Sequence, residues 1–158
     1  ADYSDFPDRL TDLVRPITNG IADFVLGSRI LGERQRGAML PHARWGNSLA
    51  CSLIWFRTGV RYTDLGPFRA IRRRALDNLH MADRNYGWTV EMQIKAALAD
   101  LKILEVPTPY RCRIGTSKIS GTWIGSVRAG GKILMTITRY ALSTSASLVP
   151  VRQIVPTV

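Results

Sequence analysis

A chain of 158 residues with 46% hydrophobic composition is long enough to bury one real core and too short to expect two domains. Lys and Arg outnumber Asp and Glu by 22 to 12, a net charge of +10, which favours anionic partners: nucleic acid, phosphorylated metabolites or an acidic membrane surface. Cys51 and Cys112 lack Cys-x-x-Cys spacing, which argues against a disulfide framework or zinc site and fits a reducing compartment, and the longest strongly apolar run, LACSLIWF, is far short of the ~20 residues a membrane span needs.

The chain opens ADYSD, and FPDRLTDLV then predicts a helix over 7–15. Ser4 or Asp5 can cap it, Pro7 suits its first turn and Asp8 the positive end of its dipole. Asp2 can equally bind a divalent metal while Asp5 caps, and both readings stand. IADFVLGSRI (21–30) is β-branched and apolar up to Gly27, a buried strand ending in a polar loop. The stretch 31–45, with three arginines, two glycines and a proline, has no apolar period and reads as a mobile loop. Leu49, Ala50, Leu53, Ile54 and Trp55 give the segment 47–57 one broad apolar helical face. A short strand FRAI follows, then helices over 72–79 and 88–99, then two extended pieces across 101–114 joined at Pro107 and Pro109. Beyond Gly121 the apolar spacing through Tyr140 predicts an amphipathic helix, weakened by Gly130 and Gly131, that either closes the core or lies on a membrane. The division expected is one domain over 1–142 and a loosely held tail over 143–158. Alternating strands and helices indicate an α/β domain with a mostly parallel sheet.

Four stretches join glycine to charge at an element boundary, where backbone and side chain can both approach a ligand. In GSR (27–29) Arg29 points beyond the strand, as a ligand contact or a solvated arginine. In TDLGPFR (63–69) Asp64 can orient a substrate hydroxyl and Arg69 can hold a phosphate, or the stretch is a turn with an Asp cap. Glu91 stands on an otherwise apolar helix and is either paired there or catalytic. RIGTSK (113–118) brings Arg113, a glycine, Ser117 and Lys118 together, a composition suited to gripping a diphosphate. The run Arg72, Arg73, Arg74 invites a nucleic-acid reading, but no stacking aromatics are interleaved, and a solvated helical turn explains it as well. AGGK (129–132) lacks the P-loop frame.

Taken in order from Ala1 to about Tyr140, ADYSD, VLGSR, TDLGPFRAIRR, VEMQIKA and EVPTPYRCRIGTSK resemble family 2 glycosyltransferases of the dolichyl-phosphate or polyprenyl-phosphate hexose synthase type. The resemblance implies the C-terminal portion of a GT-A fold, with the nucleotide-binding half upstream of Ala1. It implies a nucleoside-diphosphate sugar as donor, a polyprenyl phosphate as acceptor and Mg2+ or Mn2+ held by Asp2, which matches the second aspartate of the family's metal motif. Arg113, Ser117 and Lys118 would hold the donor diphosphate, with Arg111 a rival to Arg113. Arg29, Arg44 and Arg69 would hold the acceptor phosphate, Asp64 and Glu91 would be the catalytic carboxylates that orient sugar or arginines, and loop 31–45 would close over the acceptor. The basic surface suits peripheral attachment at the cytoplasmic membrane face, without nucleic acid. The rivals are a transferase of the same fold with a soluble hydroxyl acceptor and a basic nucleic-acid-binding module.

Overall fold

Pro7 has its φ preset and no amide to leave unpaired, so it opens a single 3-10 turn, Pro7–Arg9, that runs into helix α1, Leu10–Thr18. The residues at the N-cap positions of the two, Phe6 and Arg9, supply no side-chain cap. The computed structural model describes residues 3–85 and 87–114, together with Gly131, Met135, Thr136 and Thr138. The other described elements are β1 (Phe24–Ser28), α2 (Pro41–Thr58), β2 (Arg69–Ile71), α3 (Arg73–Asn78), α4 (Trp88–Leu98) and β3 (Ile103–Pro107). The expected helix over 122–142 and the tail lie outside the described residues, those four apart.

The three strands form one sheet in the order β2-β1-β3. Strand β1 is parallel to β3, with Phe24 opposite Ile103 and Leu26 opposite Glu105, and antiparallel to β2, with Val25 opposite Ala70. The described sheet is therefore mixed where a mostly parallel one is expected. The turn leading into β2 reverses the chain beside β1, and bonds from Gly27 N to Phe68 O (2.8 Å) and Arg72 N to Asp23 O (2.8 Å) close both ends of the ladder.

Side chains alternate across β1, and both faces are covered. Phe24 and Leu26 join Ile54 of α2, Val90, Met92 and Ile94 of α4 and Ile103 in the main core. Val25 turns the other way, against Leu13 of α1, Leu104 and Val106. Helix α2 begins at Pro41, six residues before its expected start. It ends at Gly59, whose φ of 75° is the left-handed conformation that glycine adopts freely, and whose amide closes on Trp55 O at 2.8 Å. The segment expected to be a free loop is stitched down. Tyr110 N donates to Glu33 O (2.9 Å), Gln35 N to Tyr110 O (2.9 Å) and Cys112 N to Gln35 Oε1 (2.8 Å).

Candidate active site

Strand β1 delivers Arg29 one residue past its end, and the turn after α2 delivers Asp64 to meet it. Arg29 Nε donates to Asp64 Oδ2 and Nη2 to Oδ1, both at 2.7 Å, and the Arg29 amide adds a bond to Oδ2 at 2.9 Å. The guanidinium also lies over the Tyr110 ring, 5.1 Å from its centroid. Burial by itself would lower the Arg29 pKa, but the hydrogen bonds and charge of Asp64 outweigh it and hold the group above its ordinary value. Asp64 is 1% exposed and both its oxygens accept from Arg29, so it orients the arginine. Arg29 has donors beyond the two that Asp64 takes, on a fork of fixed orientation. Gly66 lies against this pair: a Cβ there would stand 2.9 Å from Gly27 O and 3.0 Å from Asp64 Oδ2.

The turn carrying Asp64 is held from several elements. Asn47 of α2 donates to Thr63 O (3.1 Å) and accepts from Leu65 N (2.9 Å). Gln93 of α4 donates its side-chain Nε2 to Asp64 O (2.9 Å), and its main-chain carbonyl accepts from Tyr62 Oη (2.9 Å). Glu105 of β3 accepts Thr63 N with both oxygens at 3.0 Å, and Asp64 N at 3.4 Å. Ser28 and Thr63 hydroxyls bond at 2.6 Å. Burial pushes the Glu105 carboxyl up to about 7 against the pull of those amides, and the negative charge of Asp64 adds to the rise. Burial likewise pushes the Cys51 thiol up to about 12, helped by Asp64 and Glu105, which makes it inert as a nucleophile at neutral pH. Tyr62 is raised for the same first reason.

Other expected site residues fall differently. Arg69, expected at an acceptor phosphate, is half-buried and donates to main-chain carbonyls, Nη1 to Thr89 O (3.1 Å) and Nη2 to Leu65 O (3.4 Å) and Gly66 O, while its buried Nε has no hydrogen-bond partner among the described residues. It ties the turn to the start of α4, and burial lowers its pKa to about 10. Glu91, expected as a catalytic carboxylate, is fully buried, accepts the amides of Ala82 (3.0 Å) and Asp83 (2.7 Å) and pairs with Lys95 (2.8 Å), which makes it an anchor for that loop. Arg111 stacks on Tyr3 and Phe6 and donates to Tyr3 O and Asp5 O, whereas Arg113 is exposed. Arg111 is thereby tied to the chain's first described residues. Asp2, Ser117 and Lys118 lie outside the described residues. Among the described residues no group of three or more His, Cys, Asp and Glu could hold a metal ion, so a metal site has no described ligand set.

Beside the Arg29–Asp64 pair opens a cleft of about 580 Å³ lined by Ile30 and Thr63, the chain neighbours of that pair, and by Arg44, Ser48, Ser52, Trp55 and Arg61. Arg44 is exposed here, and Arg61 lies over Trp55 at 4.5 Å. The pattern brings cationic and hydroxyl donors to an open cleft and leaves its buried carboxylates engaged, an arrangement for holding an anion.

Comparison with known proteins finds relatives among transferases. An undecaprenyl-phosphate mannosyltransferase of Micrococcus luteus is 30% identical over 154 residues, 90% of this chain and 58% of that protein. A dolichyl-phosphate hexose transferase of Haloferax volcanii is 34% identical over 98 residues, 61% of this chain and 42% of its own. The chain belongs with the glycosyltransferases. An uncharacterized glycosyltransferase of Mycobacterium tuberculosis is 30% identical over 114 residues, 69% of this chain, and the glycosyltransferase chain described here spans 52% of that relative's length. No family model and no solved structure matches the chain.

The residues that sequence reasoning missed are Asn47, Gln93 and Glu105. Glu105 carries a readable signal: in ILEVP it has the strand parity of Ile103, whose side chain is core, so a carboxylate there must be buried and bonded.

Proposed function

We propose that this chain forms the acceptor-binding part of an enzyme that transfers a hexose from a nucleoside-diphosphate sugar to a polyprenyl phosphate. The observation that carries the reading is the buried Asp64 holding Arg29 in a bidentate pair beside a cleft containing Arg44 and Arg61. An acceptor phosphate is already anionic at neutral pH, so its oxygen needs placement more than deprotonation. Its attack forms the bond to the anomeric carbon as the bond to the donor diphosphate breaks, with inversion. A hydroxyl acceptor would need a base, and Asp64, Glu91 and Glu105 are all engaged by amides or cations. The names of the Micrococcus and Haloferax relatives support the same acceptor class. Dependence on Mg2+ or Mn2+ belongs to the proposal through Asp2 alone.

The proposed setting is the membrane surface. No described helix is long and apolar enough to cross a bilayer. Helix α2 instead turns Trp45 (70% exposed), Trp55 (44%) and Phe56 (86%) outward on one side, beside Arg44. Aromatic and basic residues together suit the interface of an anionic leaflet.

The test is a donor screen with the full-length protein and a short polyprenyl phosphate, with and without divalent metal. Transfer to the lipid phosphate supports the reading. Transfer only to a sugar hydroxyl, or salt-sensitive binding of nucleic acid without transfer, overturns it.

A further inference from the structure

Three buried carboxylates surround this region, and they are not equivalent. Asp64 pairs with Arg29 and Glu91 with Lys95. Glu105, 2% exposed, has no ion pair among the described residues and rests on the amides of Thr63 and Asp64. An unpaired buried charge is a costly choice for a position that a strand could fill with an apolar side chain. Its surroundings do not lower that cost. Asp64 in the turn is a second negative charge, Cys51 of α2 and Tyr62 are neutral acids raised first by burial and further by the charge of Glu105, and the cations Arg29 and Arg69 hydrogen-bond Asp64 and main-chain carbonyls, not Glu105. What Glu105 does reach is the main chain of the two residues that place Asp64.

We propose that Glu105 is a positioning residue for the acceptor site: its charged carboxylate holds the Thr63–Asp64 turn at the depth from which Asp64 fixes Arg29, and so sets affinity for the acceptor phosphate. This rests on the reading of Arg29 as a contact to that phosphate. Asn47 and Gln93 hold the carbonyls and the Leu65 amide of the same turn, so among the described residues Glu105 alone serves its two leading amides. Because burial brings the carboxyl up to about 7, the hold strengthens as pH rises through neutrality, when the group ionises and both oxygens become full acceptors.

The experiment compares wild type with Glu105→Gln and Glu105→Asp in the full-length enzyme. Glu105→Gln keeps the shape and removes the charge. Its KM for a short polyprenyl phosphate is expected to rise about tenfold at pH 8 while the donor KM stays the same, as displacement of one binding group predicts. The ratio of the two acceptor KM values should fall towards one as pH drops through 6, a readout in which titration of the phosphate itself cancels. Glu105→Asp should retain that pH step with a raised KM. The melting temperature of Glu105→Gln at pH 8 should equal or exceed that of wild type, which a merely structural role forbids. Unchanged acceptor KM, or parallel losses in stability and in both KM values, overturns the proposal. If no transfer to the lipid phosphate occurs at all, the functional reading falls, and hydrogen exchange still decides the hold. The Thr63 and Asp64 amides should exchange about ten times faster in Glu105→Gln, and unchanged protection there overturns the positioning role.

Discussion

Asp64 gives both oxygens to Arg29, so Asp64→Asn removes the charge and turns an N–H towards a guanidinium whose side chain is only 15% exposed. Leaving one member of a buried pair without its partner costs about 3–5 kcal/mol. We expect a loss of that order in urea denaturation, and a fall of about 100-fold in kcat/KM for the lipid phosphate as Arg29 loses its orientation. Arg29→Lys separates the mechanisms, since it keeps a positive charge and loses the fork. If Asp64 served as a base for a hydroxyl acceptor, Arg29→Lys would leave turnover near wild type. Glu105 predicts a pH dependence of stability with a definite sign. Its carboxyl moves from an ordinary 4.5 to about 7 on folding, so between those values the folded chain keeps a proton that the unfolded chain has lost. The associated stability is complete below pH 4.5, is lost as pH rises through 7, and amounts to about 3 kcal/mol. Denaturation midpoints at pH 5 and pH 8 should show the fall in wild type and lack it in Glu105→Gln.

At the scale of elements, the segment between β1 and α2 is ordered by contact with the residues following β3. A Cβ on Gly32 would stand 2.1 Å from Thr108 O, with Thr108 N 2.7 Å away, and neither main-chain atom can move cheaply. Gly32→Ala should therefore cost about 1–3 kcal/mol and lower the melting temperature. Gly46, within α2 and with nothing inside 4 Å of its Cβ position, should do the reverse, and Gly46→Ala should raise stability by about 0.5–1 kcal/mol. Glu91→Gln should weaken the loop it anchors, read as faster exchange at Ala82 and Asp83 with a lower melting temperature. These outcomes also mark what the chain made legible. The strands and helices from β1 to β3 could be read because apolar period and glycine punctuation agree there. The first turns of α2 could not, because Trp45 turns outward and leaves Pro41–Gly46 without an inward apolar pattern. Strand direction was invisible, since β2 has only three residues and its sense is set by the turn before it. Arg29 and Asp64 stood out as charges beside glycine. Their bond spans 35 positions, and only the fold reveals that Arg69 and Glu91 bond main-chain groups.

For the molecule as a whole, the charge of +10 gains meaning from its placement. The arginine run that suggested nucleic acid is partly internal. Arg72 bonds Asp23 (3.1 Å) and Ile17 O (3.0 Å), and Arg73 pairs with Asp77 (3.0 Å). Arg44 and Arg61 are exposed on the side where α2 presents its aromatics. Burial along α2 is sharply divided: Asn47, Ala50, Cys51, Ile54 and Thr58 face the core, while Trp45, Ser48, Ser52, Trp55 and Phe56 face out. Three large rings on a solvent face are unfavourable in water and favourable in a headgroup layer, where electrostatic attraction adds about 1 kcal/mol for each basic residue near the surface. Replacing Trp45, Trp55 and Phe56 together by Ser should reduce partitioning onto vesicles containing anionic lipid roughly tenfold or more, without lowering the melting temperature, because none of the three is buried in the core. Wild-type binding should weaken as salt rises and on neutral vesicles, which separates charge from ring insertion. Full binding by the triple variant would show that this face meets something other than lipid, and a variant that melts early would show that the rings cover part of the protein itself.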